Sequence, residues 1–168
     1  MNSTEAHFVL RSITHSANIC FIYSKGISME EGTFEKIGQS EERMYGPKGM
    51  IVCGYPPSEQ RFFFTFMEKA GFNDRPVIFA GTADASLSLK DLLSLTTAWG
   101  MGEASEMPRA LIMSGFTQNE LHKIMSAYRY AGLPGQLWAT LTPVSETWTV
   151  AELLDELQKE DQALKGKV

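Results

Sequence analysis

The chain is poor in the features that would name a chemistry. Its 168 residues include only two cysteines, Cys20 and Cys53, which make neither a disulfide framework nor a metal-binding pattern. No G-x-G-x-x-G and no P-loop pattern is present, so a nucleotide has no motif behind it. The three histidines, His7, His15 and His122, are isolated and show no metal-ligand spacing. No apolar run approaches the roughly 18 residues a membrane span needs. The stretch 1–6 lacks a basic region leading into an apolar one, so no secretory signal is expected. Basic residues are in deficit, 15 against 20 acidic, for a net charge of −5. An acidic chain lacks the basic patch that phosphate backbones require. The expectation is a reduced, cytoplasmic protein with no metal or cofactor and with neither nucleic acid nor membrane as partner.

What the chain does have is core material and a repeat. With 43% hydrophobic and 11% aromatic residues it can bury a sizeable core, so disorder is excluded. Lys48-Gly-Met-Ile-Val-Cys-Gly-Tyr lies 61 residues before Arg109-Ala-Leu-Ile-Met-Ser-Gly-Phe. At that offset, without a gap, seven of 48 paired positions are identical: Ile51/Ile112, Gly54/Gly115, Glu59/Glu120, Ala70/Ala131, Gly71/Gly132, Leu92/Leu153 and Leu93/Leu154. Glycines, helix caps and apolar stripes coincide as well.

Each copy reads as β-α-β-α. Met50–Cys53 and Leu111–Ser114 are continuous apolar runs that suit strands covered on both faces. A helix follows from about Ser58 to Ala70, with Phe63, Phe64, Met67 and Ala70 on its inner stripe. Gly71 and Phe72 suit a Schellman end. In the second copy Thr117 and Glu120 form a capping box, the stripe is Ile124, Met125, Tyr128 and Ala131, and Gly132-Leu133 closes the helix. Pro76–Ala80 and Leu137–Leu141 are the second strands. Ser88 with Asp91, and Thr149 with Glu152, open the last helix of each copy; Leu89, Leu92, Leu93 and Leu95 point inward in the first.

Residues 1–47 form an extension in which His7–Arg11 and Ile19–Tyr23 pair as an antiparallel hairpin around Thr14–Asn18. Ser28–Glu31 opens a short helix and Gly32–Gly49 is mostly loop. Residues 48–99 are the first unit, 100–108 a linker, 109–160 the second unit and 161–168 a charged tail; the chain from Lys159 onward is expected to fray. Strand–helix–strand crossovers are parallel almost without exception. The fold expected is therefore α/β: two tandem β-α-β-α repeats with pseudo-twofold symmetry forming a mostly parallel sheet flanked by helices.

The second copy resembles a bacterial family, domain of unknown function 3783. The resemblance rests on Leu111-Ile-Met-Ser-Gly-Phe, Glu120-Leu, Ala131-Gly-Leu, Trp138-Ala-Thr-Leu-Thr-Pro143 and Trp148-Thr-Val-Ala-Glu-Leu-Leu-Asp-Glu-Leu157. It covers roughly residues 111–160 and brings no activity and no catalytic residue. The first copy departs from the motif at Thr82, in place of the proline, and Leu87, in place of the tryptophan.

Ligands of parallel sheets bind beyond the carboxyl ends of strands. That rule makes Gly54, Thr82, Ser114, Gly115, Thr142 and Trp148 the candidate ligand-binding residues. The competing readings are turn glycines for Gly54 and Gly115, and for Trp148 a hydrophobic staple on Leu153. Cys53 stands where a nucleophile could stand, but Ser114 matches it and a buried cysteine is the plainer reading. Glu59 and Glu120, with Asp91 and Glu152, read as first-turn and capping carboxylates. Trp138 reads as core. Phe62-Phe-Phe-Thr-Phe66 holds more phenylalanine than one stripe can bury, which leaves Phe62 or Phe66 for an interface. Three functions stay open: a non-catalytic module that self-associates, as a homodimer for instance, or binds a protein partner; a small-ligand or nucleotide-binding domain using the glycine turns; and an enzyme using Cys53.

Overall fold

The computed structural model describes residues 41–166 and, before them, the strands β1 (Phe8–Ser12), β2 (Cys20–Ser24) and β3 (Glu35–Lys36). The further elements are β4 (Gly49–Cys53), α1 (Pro57–Lys69), β5 (Val77–Ala80), α2 (Leu89–Leu93), β6 (Ala110–Ser114), α3 (Gln118–Tyr130), β7 (Leu137–Thr140) and α4 (Val150–Lys165). Short 3-10 turns at Thr82–Asp84 and Ser145–Thr147 precede α2 and α4. The expected helix at Ser28–Glu31, the hairpin connection Thr14–Asn18, His7 and His15 lie outside the described residues.

The protein is α/β, with one mixed sheet in the order β3-β1-β2-β7-β6-β4-β5. β4 and β5 are parallel, as are β6 and β7, so each crossover obeys the expected rule. The expectation of a mostly parallel sheet is corrected by the other pairs. β4 runs antiparallel to β6, and β1–β2, β1–β3 and β2–β7 are antiparallel too.

The physical reason is the path between the halves. Leu93 lies beside Gly49, at the amino end of β4. The chain then climbs back along the outer edge of β5: Ala98 N–H donates to Val77 O at 2.7 Å and Phe79 N–H donates to Trp99 O at 2.9 Å. It reaches β6 at the end where β4 stops, with Cys53 opposite Ala110. A strand entered from that end can only run the other way. The return stretch also occupies the β5 hydrogen-bonding edge, which would otherwise invite pairing with another chain.

Strand alternation divides the core. Met50, Val52, Val77, Phe79, Leu111, Met113 and Trp138 face α1 and α3, while Ile51, Cys53, Ile78, Ala80, Ala110, Ile112 and Ala139 face α2 and α4. The four strands of residues 41–166 are covered on both faces, which is why β4 and β6 are buried at every position and apolar but for Ser114.

Local signals behave as read. Thr117 Oγ1 accepts from Glu120 N–H at 3.1 Å and Glu120 Oε2 accepts from Thr117 N–H at 2.9 Å. Thr149 and Glu152 repeat the box at 3.2 and 2.8 Å. α1 ends in a Schellman motif, with Phe72 N–H on Met67 O at 2.8 Å. α4 continues through Lys165, into the charged stretch read above as fraying; Lys159 bridges Asp155 at 2.6 Å and Lys165 bridges Asp161 at 2.5 Å. No helix among the described residues is long and apolar enough to cross a membrane.

Candidate functional site

The antiparallel β4–β6 pair splits the expected rim. Gly49 stands opposite Ser114 and Cys53 opposite Ala110, so the carboxyl ends of the two halves point to opposite ends of the sheet. Gly54 and Thr82 share one end; Ser114, Gly115 and Thr142 share the other. Trp148 sits at neither. It is half-buried against the α2–α4 core, and its carbonyl accepts Leu89 N–H at 3.0 Å.

The glycines are explained by backbone crossings. Gly54 has φ +71°, and a Cβ there would stand 2.7 Å from Arg109 N and closer still to Met107 O. Gly115 has φ +67°, and its Cβ would meet Gly46 O at 2.8 Å. The close approach that glycine permits is made in both places by the chain itself. Thr142 and Ser145 close their turn reciprocally, Ser145 Oγ accepting from Thr142 N–H and Thr142 Oγ1 from Ser145 N–H, each at 3.0 Å.

Cys53 has no access to solvent and packs among Ile51, Ile78, Ala80 and Leu92. Burial, with a smaller contribution from the Asp84 charge, pushes its thiol from 9.0 up to about 12. A thiol that cannot ionise near neutrality is not an activated nucleophile. In a Cys20→Ser background, Cys53 is therefore expected to resist thiol reagents until the protein unfolds. The folded state holds the proton that the unfolded state releases above pH 9. Stability contributed by this group is thus intact below pH 9 and falls as pH rises toward about 12, by up to roughly 1.4 kcal/mol per pH unit. Urea unfolding of the protein and Cys53→Ala between pH 8 and 10.5 checks this, because the substitution removes that part of the alkaline slope.

Neither matched carboxylate is free for acid–base work. Glu59, in the first turn of α1, accepts from Arg109 Nη1 at 2.6 Å. The Arg109 guanidinium lies 3.7 Å from the centre of the Tyr55 ring, and its Nε donates to Tyr128 Oη at 3.2 Å. Tyr55 O–H donates to Gln136 Oε1 at 2.6 Å. Burial holds the Tyr55 hydroxyl well above its usual range. Glu120 serves its capping box and also pairs with buried Arg75, whose guanidinium lies over Phe116. Sequence reading missed both arginines. The available signal was the alignment of Tyr55 with Phe116 beside the matched Glu59 and Glu120. Each half thus places an arginine on the other half's aromatic ring and glutamate, an arrangement that joins the halves.

A recess opens at the carboxyl end of β5, with about 410 Å³ of space, between Gly81–Asp84 and a wall made by Trp99–Met101 with Glu103 and Ala104. Gly100 to Ala104 of that wall belong to the stretch read as linker, and Trp99 is the last residue of the first unit. Gln60 is buried on α1 and fixes the wall from below, its Nε2 donating to Tyr55 O at 3.1 Å and Glu103 O at 3.0 Å, its Oε1 accepting from Gly102 N–H at 2.7 Å. Ala98 adopts φ +67°, and Gly100 at φ +69° leaves no room for a Cβ against Phe79 O. Above this fixed backbone Trp99 is 44% exposed and Met101 38%. Of the sequence candidates only Thr82 lines the recess; its Oγ1 accepts from Glu106 N–H at 3.4 Å. Among the described residues no group of three or more His, Cys, Asp or Glu gathers as metal ligands would.

No curated protein and no solved structure matches the chain. Residues 109–164, covering β6 through α4 but not the recess, match a family model described as a domain of unknown function, DUF3783.

Proposed function

We propose that the protein is a non-catalytic binding module that docks a partner protein at the recess beside Trp99. The observation that carries this reading is a large aromatic side chain held open on a backbone that cannot relax inward. Trp99 O accepts from Phe79 N–H, Trp99 N–H donates to Thr96 O at 3.1 Å, and the neighbouring Ala98 is held at positive φ. Backbone strain of this kind persists where surrounding structure over-determines it, and it clusters at functional segments. A pre-ordered anchor lowers the entropic cost of docking. Tryptophan is also among the side chains whose burial dominates interfaces. The burial of Cys53 supports a non-catalytic role, and the low cysteine content fits a cytoplasmic setting.

The two halves read as a tandem duplication about a pseudo-twofold axis through the Ile51–Ile112 pair. The 61-residue offset equates those two residues, and they face each other in the β4–β6 register. It also equates Ser88 with Thr149, which bridge one another. At that offset Trp99–Ala104 corresponds to Glu160–Lys165, which continue α4. The recess thus sits where the first half departs from the second, which supports a role of its own.

Amide and indole N–H spectra of the full chain, titrated with capped amino-acid amides of neutral, anionic and cationic type, test the docking reading. The expected result is a saturable shift confined to Gly81–Asp84 and Trp99–Ala104, abolished in Trp99→Ser with the remaining spectrum unchanged. If no probe of any charge moves these resonances, the reading fails.

A further inference from the structure

We infer that the partner group taken by the recess is a basic side chain, the guanidinium or ammonium of an arginine or lysine on a partner protein. This rests on the recess being the docking site and names what it selects. Its lining carries two carboxylates, Asp84 and Glu103, and no lysine, arginine or histidine.

Several carboxylates elsewhere in the structure have cations beside them, while Glu146 and Glu152 are held by neutral donors. Glu59 has Arg109, Glu120 has Arg75, Asp74 has Lys48, Asp155 has Lys159 and Asp161 has Lys165. Among the described residues neither Asp84 nor Glu103 has an ion-pair partner. Asp84 accepts Gly81 N–H at 2.9 Å through Oδ2, a bond that fixes the carboxylate at the mouth of β5 while adding no positive charge. Its charge reaches Cys53 in the core, where it adds to the rise of the thiol.

Two carboxylates bordering one recess, with no cation among its lining residues, concentrate a negative potential there. The Trp99 ring supplies the second element of cation recognition, a π face for a guanidinium or ammonium group. Met101 and the Ala83 and Ala104 side chains leave apolar surface for the methylene stem that arginine and lysine carry behind the charge. A volume of about 410 Å³ fits one such side chain and its neighbouring backbone, at the small end of ligand pockets. An anionic group would face both carboxylates, and a neutral apolar one would desolvate them without return.

The experiment compares N-acetyl-argininamide, N-acetyl-lysinamide, the isosteric but uncharged N-acetyl-citrullinamide and putrescine, all read at the Trp99 indole N–H of the full chain. The arginine and lysine probes are expected to saturate in the millimolar range, with citrulline about tenfold weaker. Raising salt from 20 to 300 mM is expected to weaken the cationic probes about fivefold, as screening requires. Asp84→Asn keeps an oxygen for Gly81 N–H and is expected to lose most of the discrimination against citrulline; Glu103→Gln, on the exposed wall, loses part of it.

Citrulline binding as tightly as arginine would overturn the charge assignment while leaving the docking reading intact. So would unchanged discrimination in both variants. Putrescine saturating well below the capped arginine would overturn the assignment of a protein side chain in favour of a free amine. No binding by these probes would overturn the basic side-chain assignment, and silence of the anionic amide as well would remove the docking reading itself.

Discussion

Gly54→Ala is expected to destabilise the protein by about 3 kcal/mol or more, although it adds a single methyl group. Two costs combine. An L-residue at φ +71° carries about 1–2 kcal/mol of backbone strain. The new Cβ would also sit 2.7 Å from Arg109 N, 2.7 Å from Pro108 C and nearer still to Met107 O. Those atoms are backbone at the entrance to β6, so they cannot rotate away as a flexible side chain would. Forced overpacking of this kind adds about 1–3 kcal/mol. Gly102→Ala is the internal control: φ is +93°, but nothing lies within 4 Å of its Cβ, so only the strain of about 1–2 kcal/mol remains. Urea midpoints of the two variants separate the contributions. Equal losses would show that the Met107–Arg109 crossing yields readily and that conformation alone makes Gly54 necessary.

Phe63→Ala is expected to cost about 3–5 kcal/mol, the usual range for emptying a phenylalanine site in a core. Phe63 is 1% exposed. Its ring packs edge-on to Tyr55 at 5.4 Å and to Phe79 at 6.4 Å between centroids, and tilted against Phe66 at 6.1 Å. Losing it therefore opens a cavity where α1 meets β4 and β5. The adjacent Phe62 is 51% exposed, so Phe62→Ala is expected to change stability by no more than about 0.5 kcal/mol. A pair of neighbours differing so widely is a direct test of which helix face is buried, and chemical denaturation reads it. The same Phe62 variant addresses self-association: a dimer seated on that face would weaken in sedimentation equilibrium without any loss of fold.

The Phe62–Phe66 run shows how far a sequence reading carries. Five consecutive helical residues cannot all lie on one stripe, so an exposed phenylalanine was legible. Which one was not. Phe66 is buried because α3 brings Tyr128 against it, ring to ring at 6.0 Å, and Phe64 is half-covered because Phe79 stands below it. Both partners are remote in sequence. The same limit applies to Glu59. Its first-turn position was readable, yet its carboxylate belongs to Arg109, fifty residues away.

By itself the sequence determined the local elements: apolar runs at Met50–Cys53 and Leu111–Ser114, capping boxes at Thr117 and Thr149, the Schellman end at Gly71 and the cysteine left in the core. These are settled by atoms within a few residues of one another, through caps, turn glycines and periodicity. The tertiary structure alone decided the antiparallel meeting of β4 and β6, the two arginines exchanged between halves and the recess beside Trp99. All three depend on where the stretch after α2 comes to lie. It gains its hydrogen bonds along the β5 edge, Ala98 N–H donating to Val77 O and Trp99 O accepting from Phe79 N–H, and no local pattern encodes that pairing. That stretch, of which only residues 100–108 read as linker by composition, sets the direction of β6 and forms one wall of the recess proposed as the docking site.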